Sequence, residues 1–226
     1  MTPADVSDAL VRAVRDAVAQ GEIDVVVPDE ALVFSRGNGV FESPVALRLG
    51  IDPRVVAERV GGTVSGPGFV RVVVSVQSVV DAILGDPEYG VAKVPEQQWD
   101  EWPRTFQNPG FSVRYAYARA SWVGRWAEEL QIDRGPLDEA RPEELELVGV
   151  LADVPGRARQ AERERDARPL MFCLERLAGA YHDVHERCPA IGPGTARAGR
   201  VALAEAVRVV LGNGLNMIGE TPRERI

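Results

Sequence analysis

From residue 110 onward the apolar side chains recur at three- and four-residue intervals through five successive segments, 110–130, 142–153, 156–166, 169–188 and 197–212. Leu174, Leu177, Tyr181 and Val184 form one such row; Leu203, Val207, Val210 and Leu211 form another. This spacing places each row on one face of a helix, and a row of that kind is buried by packing against others like it. The second half of the chain is therefore expected to be an all-α bundle of about five helices joined by short polar loops. Its first helix is entered through "FQNPGFSVRYAYARASWVGRWAEEL" (residues 106–130), a loop signature that runs directly into an aromatic and Arg-studded helix.

The first half is patterned differently. "TPADVSDALVRAVRDAVAQGE" predicts a helix with Thr2 at its N-cap, Pro3 in its first turn, Asp5 reaching back as in a capping box and Gly21 as its stop. Val6, Leu10, Val14 and Val18 give that helix one buried stripe. "IDVVV" (23–27) and "FVRVVVSV" (69–76) are β-branched runs bounded by Gly and Pro and read as strands. "DPRVVAERVGG" (52–62) predicts a short helix between them, opened by Asp52 and Pro53 and closed by Gly61 and Gly62. Residues 86–107 lose periodicity and gather prolines, acids and two tryptophans, as a linker would. The expected fold class is α+β: a small α/β domain over 1–88, a linker over 89–106 and an all-α helical bundle over 107–226. No internal repeat or low-complexity tract interrupts this plan.

Charge narrows the partners. The chain carries 26 basic and 34 acidic residues, a formal charge of −8. Such a balance opposes non-specific attraction to nucleic acid or an anionic membrane. The acid is concentrated in residues 1–100, where 8 basic residues face 15 acidic ones, whereas residues 101–226 hold 18 and 19. Lys93 is the only lysine among the cations. Arginine offers a planar fork for phosphates and a face for bases, although GC-rich codon usage produces the same excess. No apolar run approaches the roughly 20 residues of a membrane span, and the start of the chain lacks a signal-peptide pattern. The expectation is a soluble cytoplasmic protein with Cys173 and Cys188 reduced.

No constellation points to catalysis. His182, His185 and Cys188 stand about one helical turn apart, but three ligands make a partial site and the chain has no other histidine, so helix packing is expected and no metal. Arg157, Arg159, Arg163, Arg165 and Arg168 form the densest basic run. Glu162, Glu164 and Asp166 interleave with them, as on a solvated helix stitched by i,i+4 pairs, with a phosphate-facing role as the alternative. "SRGNG" and "GTVSGPG" match neither phosphate-cradling fingerprint, and no GxSxG or Cys–His arrangement is present, so neither catalytic residues nor a cofactor is expected. Trp122 and Trp126, four apart, either fill core space or, if exposed, form a partner hot spot.

Three ordered stretches nevertheless resemble one family. "NPGFSVRYAYAR" is similar to the opening of the DALR domain, the anticodon-binding helical domain of arginyl-tRNA synthetase. "ERDARPLMFCLERLAGAYHDVHERCPAIG" and "RVALAEAVRVVLGNGLNMIGETPRERI" resemble that domain's later helices and the end of the synthetase. In the first half, "GPGFVRVVVS" is similar to a strand of the synthetase's N-terminal tRNA-binding domain. "GVFESPVALRLG" departs from the matching motif there: Val40 replaces the usual acid and Pro44 the usual Asn, while Phe41, Val45 and Ala46 keep its character.

The resemblance implies a synthetase without its ATP-binding catalytic core, whose place is taken by the 22 residues 86–107. It implies a non-catalytic protein that binds tRNA, arginine tRNA above all, through the anticodon loop on behalf of a tRNA-modifying or tRNA-using enzyme. Neither membrane nor DNA is implied as a partner. By position it assigns anticodon contact to Tyr181 and Ile226, with Arg114, Tyr117 and Arg119 on the neighbouring helix and Phe41 in the N-terminal domain; Tyr115 is read as packing. The alternatives are a protein-interaction subunit that kept the scaffold but lost RNA binding, and the accessory half of a split ligase.

Overall fold

The computed structural model describes residues 3–36, 39–137, 140–192 and 197–226. They fall into two compact units, Met1–Ser75 and Val76–Ile226.

In the first unit α1 (Pro3–Ala19) buries Val6, Leu10 and Val14 of the expected stripe; Val18 is only half-buried, and Ala17 takes the inner position in the last turn. It stops at Gly21, whose φ of 73° suits a residue without a Cβ; the expected cap at Thr2 lies outside the described residues. Strands β1 (Phe34–Ser35), β2 (Val40–Ser43), β3 (Thr63–Val64) and β4 (Val70–Val73) form an antiparallel sheet in the order β1-β2-β4-β3. Phe41 pairs with Val72 on the core face of this sheet, and both are buried. Helices α2 (Val45–Leu49) and α3 (Pro53–Arg59) complete the unit, and the Asp52 carboxylate caps α3 by accepting from the Arg54 N–H at 2.9 Å.

Two local features follow from sequence in opposite ways. Gly68 of "GPGF" has a φ of +77°, and a Cβ there would lie 2.6 Å from that of Leu47, so the motif's last glycine is a packing requirement. The run 23–27, expected as a strand, is not one: Val26 is 88% exposed and the segment pairs with none of the four strands. Its β-branched residues fit a pleated surface only where a partner strand supplies one.

The second unit is helical. Helix α4 (Val76–Gly85), which the apolar run in this region does not distinguish from a strand, buries Val79, Val80 and Ile83. Four long helices follow: α5 (Pro109–Glu129), α6 (Pro142–Glu164), α7 (Arg168–Arg187) and α8 (Arg197–Met217). α6 packs on α7, and α5 packs on both α7 and α8.

Segments 142–153 and 156–166, expected as two helices, are the single helix α6 with Pro155 inside it. A mid-helix proline cannot donate to the carbonyl four residues back, here Leu151. The Tyr89 hydroxyl donates to that carbonyl instead, at 3.4 Å. Tyr89 itself is buried and its segment is held by Asn213, whose amide donates to the carbonyls of Pro87 and Tyr89. Tyr89→Phe is expected to destabilise the second unit by about 1 kcal/mol, measured by urea unfolding, because it orphans a buried acceptor. An unchanged midpoint would show that the proline is tolerated without this bond.

The aperiodic residues after α4 run along the helices of this same unit. The Ala92 N–H meets the Met217 sulfur, the Gln97 N–H donates to the Ile218 carbonyl at 2.9 Å, and the Trp99 N–H donates to the Glu220 carboxylate at 3.0 Å.

Candidate nucleic-acid interface

Helix α5 begins where Asn108 accepts from the Gly110 N–H at 2.9 Å, with Pro109 in the first turn. From that start Phe111, Tyr115, Arg119, Trp122 and Trp126 fall at intervals of three and four and so share one face. The rings of Phe111 and Tyr115 stack at 5.5 Å and 15°, and Phe106 meets Tyr115 and His182 edge-on. The Arg119 guanidinium lies 4.7 Å above the Tyr115 ring and 5.7 Å from that of Phe106. Further along, Trp122 and Trp126 form a T-shaped pair, each 40% exposed.

Between these side chains and residues 225–226 runs a groove of about 450 Å³. Tyr115, Arg119, Trp122 and Trp126 line one wall, Arg225 and Ile226 the other, and His185 joins them from α7. Such a groove combines aromatic faces with guanidinium charge and is partly open to solvent.

His182 supports Arg119 from behind. An Arg119 N–H reaches its Nδ1 at 3.3 Å, which requires a lone pair there, so the ring proton sits on Nε2 and is directed at the Ser112 carbonyl, 3.2 Å away. Burial, reinforced by the Arg119 charge, pushes the His182 pKa down to about 4, and the same two causes lower that of His185. An unfolded chain protonates its histidines near pH 6.5, so between pH 6.5 and about 4 the unfolded state binds the extra proton. The histidines therefore contribute a stability that is complete at neutral pH and falls as pH drops through that window. These are the only two histidines in the chain, which makes the slope assignable. Urea unfolding at a series of pH values checks it; His182→Gln should reduce the slope between pH 6.5 and 5 and leave the share of His185, and an undiminished slope refutes the assignment.

The residues that the sequence singles out divide by burial. Arg119 and Ile226 lie in the groove. Tyr181 is 2% exposed in the core, its hydroxyl has no hydrogen-bond partner among the described residues, and burial raises its pKa. Tyr117 is buried against Gly212 of α8, where a Cβ would come within 3.2 Å of its ring. Arg114 is 5% exposed and donates to the carbonyls of Gly110 and Trp99 and to the Glu220 carboxylate. Phe41 lies in the core of the first unit. The groove also contains residues that had not been assigned to it: Tyr115, Trp122, Trp126, His185 and Arg225. For the first three, the three- and four-residue spacing with Arg119 was the available signal.

Among the described residues no group of His, Cys, Asp or Glu could hold a metal ion, and no helix is long and apolar enough to cross a membrane.

Residues 113–226 match the DALR anticodon binding domain. The chain is similar to the arginine–tRNA ligase of Clavibacter sepedonicus, 35% identical over 131 residues that cover 54% of this chain and 24% of the ligase. It is also similar to the arginine–tRNA ligase of Dehalococcoides mccartyi, 28% identical over 163 residues covering 67% and 29%. It thus spans only about a quarter of the length of these curated relatives. In fold it resembles a putative arginyl-tRNA synthetase from Campylobacter jejuni, with a TM-score of 0.51 at 16% identity over 56% of this chain and 28% of that one.

Proposed function

The chain belongs to the DALR anticodon binding domain family, and from this premise we propose that it binds tRNA, arginine tRNA in particular, by gripping unpaired anticodon bases in the α5 groove. The observation that carries the reading is the guanidinium of Arg119 laid over Tyr115 beside the half-exposed Trp122 and Trp126, with Arg225 opposite. Splayed bases stack on aromatic faces and on Arg planes, at about 1–3 kcal/mol per base, whatever their sequence. The formal charge of −8 does not oppose this, because residues 101–226 are nearly balanced and the groove presents its own arginines. Phosphate contacts from so few cations give modest, salt-sensitive affinity.

In this reading Arg119 and Ile226 meet the RNA, whereas Tyr181 packs in the core beside His185 and Tyr117 packs α5 against α8. The first unit serves as the synthetase-like N-terminal domain on the strength of its "GPGF" strand, with Phe41 as a packing residue. In the same reading the protein is non-catalytic, in keeping with a sequence that carries no phosphate-cradling fingerprint, and it acts in the cytoplasm, holding its tRNA for a tRNA-using or tRNA-modifying enzyme. The test is an anisotropy titration against arginine tRNA and a non-cognate tRNA at two salt concentrations. Preference for arginine tRNA supports the reading; equal binding of both, or none at low salt, sinks it. ATP–pyrophosphate exchange catalysed by the purified chain would refute the non-catalytic part.

A second reading has its own observation. Trp122, Trp126 and Leu130 are all exposed toward the C-terminal end of α5, which is apolar surface of the kind a protein partner covers. Failure to bind RNA at low salt would make a protein-docking subunit the better account.

A further inference from the structure

One wall of the groove is formed by Arg225 and Ile226, the far end of residues 218–226, which continue past the end of α8 and have no regular secondary structure of their own. Beyond the Gln97 N–H on the Ile218 carbonyl, side chains hold them at two points. At the outer one, the Trp122 indole N–H donates to the Glu224 carbonyl at 3.1 Å, and Arg125 lies 3.3 Å from the Glu224 carboxylate; Glu224 and Trp122 are both exposed there. Such a contact is screened by solvent and contributes little on its own.

The inner point is different. Glu220 accepts from Arg114 at 2.6 Å and from the Trp99 N–H at 3.0 Å, and Arg114 also donates to the Trp99 and Gly110 carbonyls. Arg114 is buried and the Glu220 side chain is only 21% exposed, so the pair is shielded from water and salt. Glu101, 3.9 Å from Arg114 and 3.7 Å from Arg223, extends the network three residues further along the segment toward Arg225. A single guanidinium thus ties the first turn of α5, residues 99–101 and the segment after α8 to one another.

We propose that Arg114 and Glu220 form a buried latch that positions Arg225 and Ile226 against Tyr115 and Arg119, so that the groove exists as a binding site only while the latch is closed. The inference rests on the groove being the RNA site. Its consequence is that Arg114, a cation on an RNA-facing helix, acts on the ligand through the segment it holds and meets no phosphate. Arg114 and Glu220 are therefore positioning residues, in contrast to Arg119 and Arg225, which line the groove.

Salt dependence separates the two roles, because each phosphate contact contributes about 0.7 to the slope of log affinity against log salt for single strands. The probe is a fluorescent anticodon stem–loop of arginine tRNA, titrated at several salt concentrations with full-length variants. Arg114→Gln and Glu220→Ala are each expected to weaken binding about tenfold, with the slope for Arg114→Gln unchanged. Arg225→Ala is expected to lower the slope. Glu220→Gln, which keeps a carbonyl acceptor in place, should recover part of the lost affinity.

Amide exchange in the absence of RNA provides the independent readout. The latch variants should accelerate exchange in residues 218–226 and leave the interiors of α6 and α7 protected, which distinguishes local release from unfolding. A fall in slope for Arg114→Gln would identify Arg114 as a phosphate contact and overturn the proposal. So would unchanged exchange at 218–226 in Glu220→Ala. If the unaltered protein does not bind the stem–loop, the RNA reading fails and the ligand half of the inference fails with it, while exchange still decides whether the pair holds the segment.

Discussion

Replacing Glu144 by alanine is expected to cost the second unit about 3–5 kcal/mol, the range for breaking one side of a buried ion pair. Glu144 is completely buried near the start of α6. One carboxylate oxygen accepts from the Arg141 N–H at 2.7 Å, the return bond of a capping arrangement, and the other accepts from Arg200 of α8 at 2.7 Å. Arg200 also reaches the Pro189 carbonyl just beyond α7, so this charge fastens α6, α8 and the end of α7 together. Removing it leaves a largely buried guanidinium without its carboxylate and the first turn of α6 without its return bond.

The size of that loss comes mainly from the orphaned charge, which makes a second result predictable. Glu144→Met combined with Arg200→Met should restore most of the stability, because two well-packed apolar side chains avoid the desolvation cost that the ion pair has to offset. At roughly 2–4 °C per kcal/mol for a unit of this size, Glu144→Ala should lower the thermal midpoint by on the order of 10 °C and the double variant by a few degrees. A single variant within about 1 kcal/mol of the parent would show that Arg200 finds another partner or reaches water.

Glu144 carried no mark in the sequence, whereas α5, α7 and α8 were legible from periodicity to within a residue or two at their starts. Helical rows report which face is buried, but they do not report which charged residue on a helix finds a partner in a distant helix. The same limit governs the groove. Tyr181 belongs to the apolar row with Leu174, Leu177 and Val184, so its burial was written in its spacing even while the family resemblance assigned it to the RNA.

Arg114 lay beyond reach for a different reason. Its partners, Trp99 and Glu220, stand 15 and 106 residues away, and no local pattern foretells such a pairing. The strand expected at 23–27 and the break expected at Pro155 failed through tertiary context. The first lacked a neighbouring strand, and the second was rescued by the Tyr89 hydroxyl from 62 residues away.

The largest effect expected on function is at Tyr115 and Arg119. Tyr115→Ala removes the ring on which Arg119 rests and part of one wall of the groove, and should weaken binding of arginine tRNA by roughly 10- to 100-fold, the equivalent of one lost stacking platform. Arg119→Ala should weaken it to a similar degree and also lower the salt slope by about 0.7, as loss of a cation at a phosphate does. Tyr181→Ala is a poor probe of the same question, because opening a cavity at a buried aromatic costs about 3–5 kcal/mol and confounds affinity with folding. Two gentler substitutions separate the possibilities. Tyr181→Phe deletes a buried hydroxyl that lacks a partner and should leave stability equal or slightly higher, with binding unchanged. Tyr181→Leu keeps apolar bulk but removes the aromatic face. If it lowers RNA affinity at unchanged stability, the core must open on binding and present Tyr181 to a base; if affinity is retained, stacking is confined to the face formed by Tyr115, Arg119, Trp122 and Trp126.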